Sequence, residues 1–154
     1  MIPDDQYLLV RAASVYITVV LTAGLWVWRR PTARVAAGAV LAFLWNVPVL
    51  LALHVAAARF GWWQFDARGG VLLGIPVELY ISWAWLWGVV PALAFPALPL
   101  GAVVVVALAF DLVLMPAASP VLQLGPAWLV GEGIGLLAGL LPGQILARWT
   151  ARDE

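Results

Sequence analysis

Three carboxylic side chains, Glu78, Asp111 and Glu132, lie inside long apolar runs of this sequence. An ionisable group at membrane depth costs roughly 2.5–3.5 kcal/mol on insertion scales, so it normally faces the bundle interior and is paired or put to use. Carboxyls crowded together cannot all ionise, and at least one then keeps its proton near neutral pH. A protonated acid facing an apolar cavity suits a reaction begun by protonating a hydrocarbon, and the same group could also bind and release a proton in transport. Arg11, Asn46, His54, Asp66 and Ser82 are the polar side chains placed to support such acids. Trp63, Phe65, Tyr80, Trp83 and Trp85 are the aromatics that could line a substrate cavity, holding a polyene by stacking or a carbocation by cation–π contact.

The elements that position these residues follow from composition. Of 154 residues 65% are hydrophobic and 10% are charged, and mean hydropathy is +1.02. Too little polar surface is left to clothe a soluble domain. The apolar runs match the roughly 20 residues that cross a bilayer. The fold class expected is all-α, an integral membrane bundle of about five transmembrane helices forming one domain over residues 1–154. The spans fall at about 6–28, 35–58, 75–95, 100–115 and 127–147. The first reads as a retained helix rather than a cleaved leader, because Asp4 and Asp5 precede it and its apolar stretch is too long. Pro31 breaks the chain between the first two spans, and Pro116 stops the fourth. The uncharged link at Pro96–Pro99 makes the third and fourth helices antiparallel neighbours. A loop through Ser119, Pro120 and Pro126 leads to the last span.

Orientation follows from the basic residues of the short loops. Arg29, Arg30, Arg34, Arg148 and Arg152 fall on one side of a five-span bundle, against Arg59 and Arg68 on the other. The N-terminus is expected outside and the C-terminus cytoplasmic, in the cell membrane. At about 1.5 Å rise per residue, Arg11, His54, Glu78, Asp111 and Glu132 then share the outer third of the membrane, one on each helix. Asn46 and Ser82 lie deeper. That layer suggests one shared polar pocket; the alternative is snorkelling groups and an Arg11–carboxylate pair that fixes helix register. In the last span Gly131, Gly135, Gly139 and Gly143 recur every four residues, a stripe that admits a neighbouring backbone, and Glu132 borders it. In the third span Tyr80, Trp83 and Trp87 share one face and Glu78, Ser82 and Trp85 another. Trp26 and Trp87, near span ends, read as interface anchors or packing residues.

Several chemistries are excluded. A single histidine rules out a multi-histidine metal site, and His54 reads as a hydrogen-bonded packing residue, so no metal or cofactor is expected. Without cysteine there is no thiolate chemistry. Net charge is zero and lysine is absent, so there is no nucleic-acid partner. Gly131-x-Gly133-x-Gly135 lacks the last glycine of a dinucleotide fingerprint and follows no strand.

Trp45-Asn46, then Gly61-Trp62-Trp63-Gln64-Phe65-Asp66, then Gly70-Val71-Leu72-Leu73-Gly74-Ile75-Pro76-Val77-Glu78 resemble the small membrane lycopene cyclase subunits of carotenoid synthesis, over about a third of the chain. The resemblance implies proton-initiated closure of isoprenoid ends into rings, with Pro76 and Glu78 matching the proline and first glutamate of the family's acidic pair. Leu79 stands where the family has its second glutamate, and Asn46 where it has an aspartate. The stretch from Phe110 to Glu132 resembles instead the membrane segments preceding isoprenylcysteine methyltransferase-like domains.

Three readings follow. The first is a carotenoid-cyclase-like isomerase in which Glu78, with Asp111 or Glu132, supplies the proton. The second is a non-catalytic module holding lipid for a partner enzyme, and the third a small proton-coupled transporter. Lipid or isoprenoid, and a second membrane subunit or another copy of the chain, are the partners implied.

Overall fold

A computed structural model describes residues 4–66, 69–119 and 121–152; Arg68, Pro120, Asp153 and Glu154, used above for charge and turns, lie outside the described residues. Five helices are long and apolar enough to cross a membrane. They are α1 (Asp4–Arg29), α2 (Ala33–Phe60), α3 (Val77–Ala94), α4 (Leu100–Ala117) and α5 (Trp128–Ala151). The ends obey local chemistry. Arg30 turns left-handed at φ 45, Pro31 follows, and the Thr32 hydroxyl caps α2 by accepting from Val35 N. Gly61 closes α2 at φ 68, a conformation that glycine adopts without a Cβ penalty. Pro116 does not stop α4; it sits within the final turn, which runs on to Ala117.

The segments between helices hold short strands that the span pattern did not foreshadow. Strand β1 (Trp63–Phe65) pairs antiparallel with β4 (Leu122–Leu124), joining the α2–α3 loop to the α4–α5 loop. Strands β2 (Val71–Leu72) and β3 (Ile75–Pro76) form a hairpin whose two turn residues, Leu73 and Gly74, both have positive φ. That is the turn geometry matching the twist of a tight hairpin.

The core lies between α2, α3 and α5. Small residues let these backbones approach closely, so that van der Waals packing holds the helices together. A Cβ on Gly88 would stand 2.5 Å from the Phe43 backbone, and one on Gly38 2.5 Å from the Ala147 carbonyl. The glycine stripe of α5 works the same way: Gly135 meets Leu53 and Trp87, Gly139 meets Asn46 and Trp87, and Gly143 meets Asn46 and Ala42. Helices α1 and α4 are peripheral. The former packs on α3, while α4 makes its main backbone contacts with α5 and β4 rather than with α3, the neighbour its short connection suggested. Space is left between α3 and α4.

A proline inside a helix frees the carbonyl one turn back, and at Pro91 and Pro142 another helix supplies the donor. Pro91 leaves Trp87 O without its helical donor; the buried Gln144 amide of α5 donates to both Trp87 O and Gly88 O at 2.9 Å. Pro142 leaves Ala138 O free. There α5 widens into a π-turn over Leu136–Leu140, and Trp45 Nε1 donates to Ala138 O at 3.0 Å.

Candidate functional site

The polar layer expected from the sequence divides into three groups. In the first, Arg11 of α1 and Glu78 of α3 form an ion pair, with Arg11 Nη2 at 2.6 and 2.7 Å from the two carboxylate oxygens. Glu78 stands in the first turn of α3, where the helix dipole favours a negative charge. Arg11 also donates to Tyr7 OH at 3.1 Å and to Gly69 O at 3.0 Å, tying α1 to the loop before β2. Glu78 is therefore neutralised by a cation and removed from the other two acids, so the three do not crowd into one pocket.

The second group is aromatic and holds the histidine. Trp63 Nε1 donates to His54 Nδ1 at 3.0 Å, which leaves the ring proton of the neutral imidazole on Nε2, a buried atom with no hydrogen-bond partner among the described residues. Phe65 and Tyr80 stand edge-on to His54, at 5.2 and 6.4 Å between centroids. The Tyr80 hydroxyl donates to Val47 O. Asn46, fully buried, donates to Ala42 O and presses its Oδ1 against Gly139. These contacts close the α2–α3–α5 core.

The third group holds the remaining acids. Asp111 of α4 and Glu132 of α5 are 3% and 1% exposed and interact side chain to side chain. Trp87 Nε1 donates to Asp111 Oδ2 at 3.0 Å, and the Trp83 indole also interacts with Asp111. Glu132 Oε1 is buried with no hydrogen-bond partner among the described residues. The carboxyl pair is thus bracketed by two indoles on α3, with no ion-pair partner among the described residues.

Asp111 is also on the wall of a cavity of about 570 Å³ between α1, α3 and α4. Leu86, Val90, Val103, Ala107 and Phe110 supply apolar wall, and Arg29 is the other charged lining residue. A second apolar groove, of about 640 Å³, runs between α1 and α3 and has Glu78, Ser82 and Trp85 on its wall. Trp85 Nε1 donates to Thr22 Oγ1 at 2.8 Å and its ring leans on Phe43 at 5.1 Å, away from the acid pair. Asp66, exposed, closes the β1–β4 ribbon by donating its backbone N–H to Val121 O at 2.8 Å.

No protein-family model, curated protein or solved structure matches this chain. The site therefore rests on its own geometry. Two residues stand out that the sequence reading had set aside or passed over. Trp87, read as an anchor or packing residue, is 3% exposed and binds Asp111. Gln144, 1% exposed, holds the α3 carbonyls directly below that indole. Its signal was present in the sequence: a proline inside an apolar helix orphans the carbonyl four residues earlier, and a lone glutamine in another span is the natural donor.

Proposed function

We propose that this chain is a multi-pass membrane protein that holds an isoprenoid chain in the α1–α3–α4 groove and isomerises it by protonation, as the resemblance to lycopene cyclase subunits suggests. The observation that carries this is the position of Asp111: it belongs to a buried carboxyl pair and lines an apolar cavity of about 570 Å³. The two carboxyls are not both ionised, since two adjacent charges in a buried site repel strongly, and the acid form of the site carries a proton on each. From the doubly protonated pair Asp111 delivers its proton to a double bond, and the Glu132 hydroxyl donates to the carboxylate left behind. The Trp87 face on the cavity wall stabilises the carbocation, and Asp111 takes back a proton from a neighbouring carbon, so that the product is an isomer. Glu78 has a different part, holding α1 to α3 through Arg11. Under this reading the acids of the family's loop motif give way to a pair farther along the chain.

The bundle sits in the cell membrane with the N-terminus outside. In support, Arg29 and Arg148, both on the expected cytoplasmic side, donate to Ala94 O and Phe95 O at the same end of α3.

Expression in a lycopene-producing bacterium, alone and with neighbouring membrane proteins, tests the reading by pigment chromatography. Cyclic carotenes that vanish with Asp111→Asn and persist with Glu78→Gln are the expected result. Unchanged lycopene in every combination, with protein verified in the membrane, rejects it. That outcome favours a lipid-holding module without chemistry, for which the two apolar grooves flanking α1 provide the space.

A further inference from the structure

The cavity that reaches Asp111 has a second charged residue on its wall, Arg29, at the far end of α1. Between them the lining is almost wholly apolar. Along α3 the cavity extends from Ala94 back to Leu86, and along α4 from Val103 to Leu114. At 1.5 Å rise per residue that is a trough of about 12–16 Å with a cation at one end and a carboxyl at the other.

Arg29 has donors to spare. Of the five N–H groups of a guanidinium, its bond to Ala94 O at 2.7 Å uses one. The side chain is exposed and its charge lies over the Trp28 ring at 4.1 Å, a placement that orients the fork without neutralising it. A fork held in this way matches a phosphate or carboxylate, which it binds through paired charge-assisted hydrogen bonds. A neutral polyene can enter the same groove but leaves this fork unused, so an anionic head adds affinity that a hydrocarbon lacks.

We propose that this groove takes a single-chain prenyl amphiphile with an anionic head, the head on Arg29 and the far end of the tail at Asp111. The inference rests on the groove being the isoprenoid site, and it names the ligand class held most tightly there: an anionic prenyl lipid, whose terminal double bond is presented to the acid pair, with neutral polyenes such as lycopene entering the same groove more weakly.

The test uses the full chain in phosphatidylcholine nanodiscs, with radiolabelled farnesyl phosphate and farnesol measured against empty discs. Farnesyl phosphate is expected to bind at least about ten-fold tighter than farnesol. Arg29→Gln, which keeps a donor for Ala94 O, should bring the two ligands level, while Arg29→Lys keeps most of the preference. Ala107→Trp, which fills the trough, should weaken both. Equal binding of the two ligands to the unaltered chain overturns the proposal, as does a preference that survives Arg29→Gln. Binding that ignores Ala107→Trp overturns it too, by placing the ligand outside the groove. The two proposals fail separately. Loss of the head-group preference with Asp111-dependent ring formation intact rejects this one alone, and a firm preference with unchanged lycopene rejects the cyclase reading alone.

Discussion

The indole N–H of Trp87 on α3 reaches the Asp111 carboxylate on α4 at 3.0 Å, across a gap that the two helix backbones leave open. The bond spans the upper end of the groove and fixes which way Asp111 faces. Trp87→Phe keeps the ring and deletes the donor. It should cost on the order of 1–3 kcal/mol in stability, because a buried carboxyl loses a hydrogen bond and water cannot replace it. Thermal unfolding in detergent measures that loss, and ring formation in the lycopene host should fall with it. Unchanged values on both would show the bond to be incidental.

Arg11 and Glu78 should behave as a pair. The Glu78 side chain is 39% exposed and that of Arg11 10%, so breaking the pair should cost about 1–3 kcal/mol, below the cost for a fully buried one. Arg11→Gln and Glu78→Gln should each reduce accumulation in the membrane, and the double variant should lose less than the sum. A double-mutant cycle on unfolding midpoints reads this; strict additivity would remove the pair from the account of how α1 is held.

Gln144→Leu should destabilise by about 1–3 kcal/mol by orphaning two carbonyls of α3. Pro91→Ala restores a backbone N–H to Trp87 O, so Gln144→Leu made in that background should cost measurably less. If proline removal leaves the cost of Gln144→Leu unaltered, the amide is held there for some other reason.

Two glycines should respond in opposite ways. Gly88→Ala drives a methyl into the Phe43 backbone, which has no room to yield, and should abolish stable expression. Gly24→Ala meets nothing within 4 Å and removes a flexible residue from α1, so it should be neutral or stabilise by about 1 kcal/mol. Fluorescence-detected size-exclusion profiles with heating distinguish the two.

Much of the bundle was legible in the sequence because length and apolarity alone define a span. All five helices lie within a few residues of the expected ranges, and Glu132 borders the glycine stripe and is buried, as its spacing required. The division of the polar layer was not legible. Depth along a helix can be counted from sequence, but which helix stands beside which cannot, and neighbours decide that Glu78 meets Arg11 while Asp111 meets Glu132. Trp87 was misplaced for a different reason. It stands near the middle of α3 (Val77–Ala94) rather than at a span end, and its side chain, leaning toward the helix N-terminus, reaches Asp111. The short strands went unseen because two or three residues carry no period to read.

Glycines spaced by four do not stay in line on an ideal α-helix. Four residues turn through about 400°, so each successive glycine is carried about 40° around the axis, and a row of four would wander a third of the way round. The wider turn at Leu136–Leu140 winds more slowly and takes up that drift midway along the row. That turn thus acts on α5 as a phase correction: Gly135 above it, Gly139 within it and Gly143 below it present one seam to α2, while Gly131, a turn higher, meets Trp62 and Trp63.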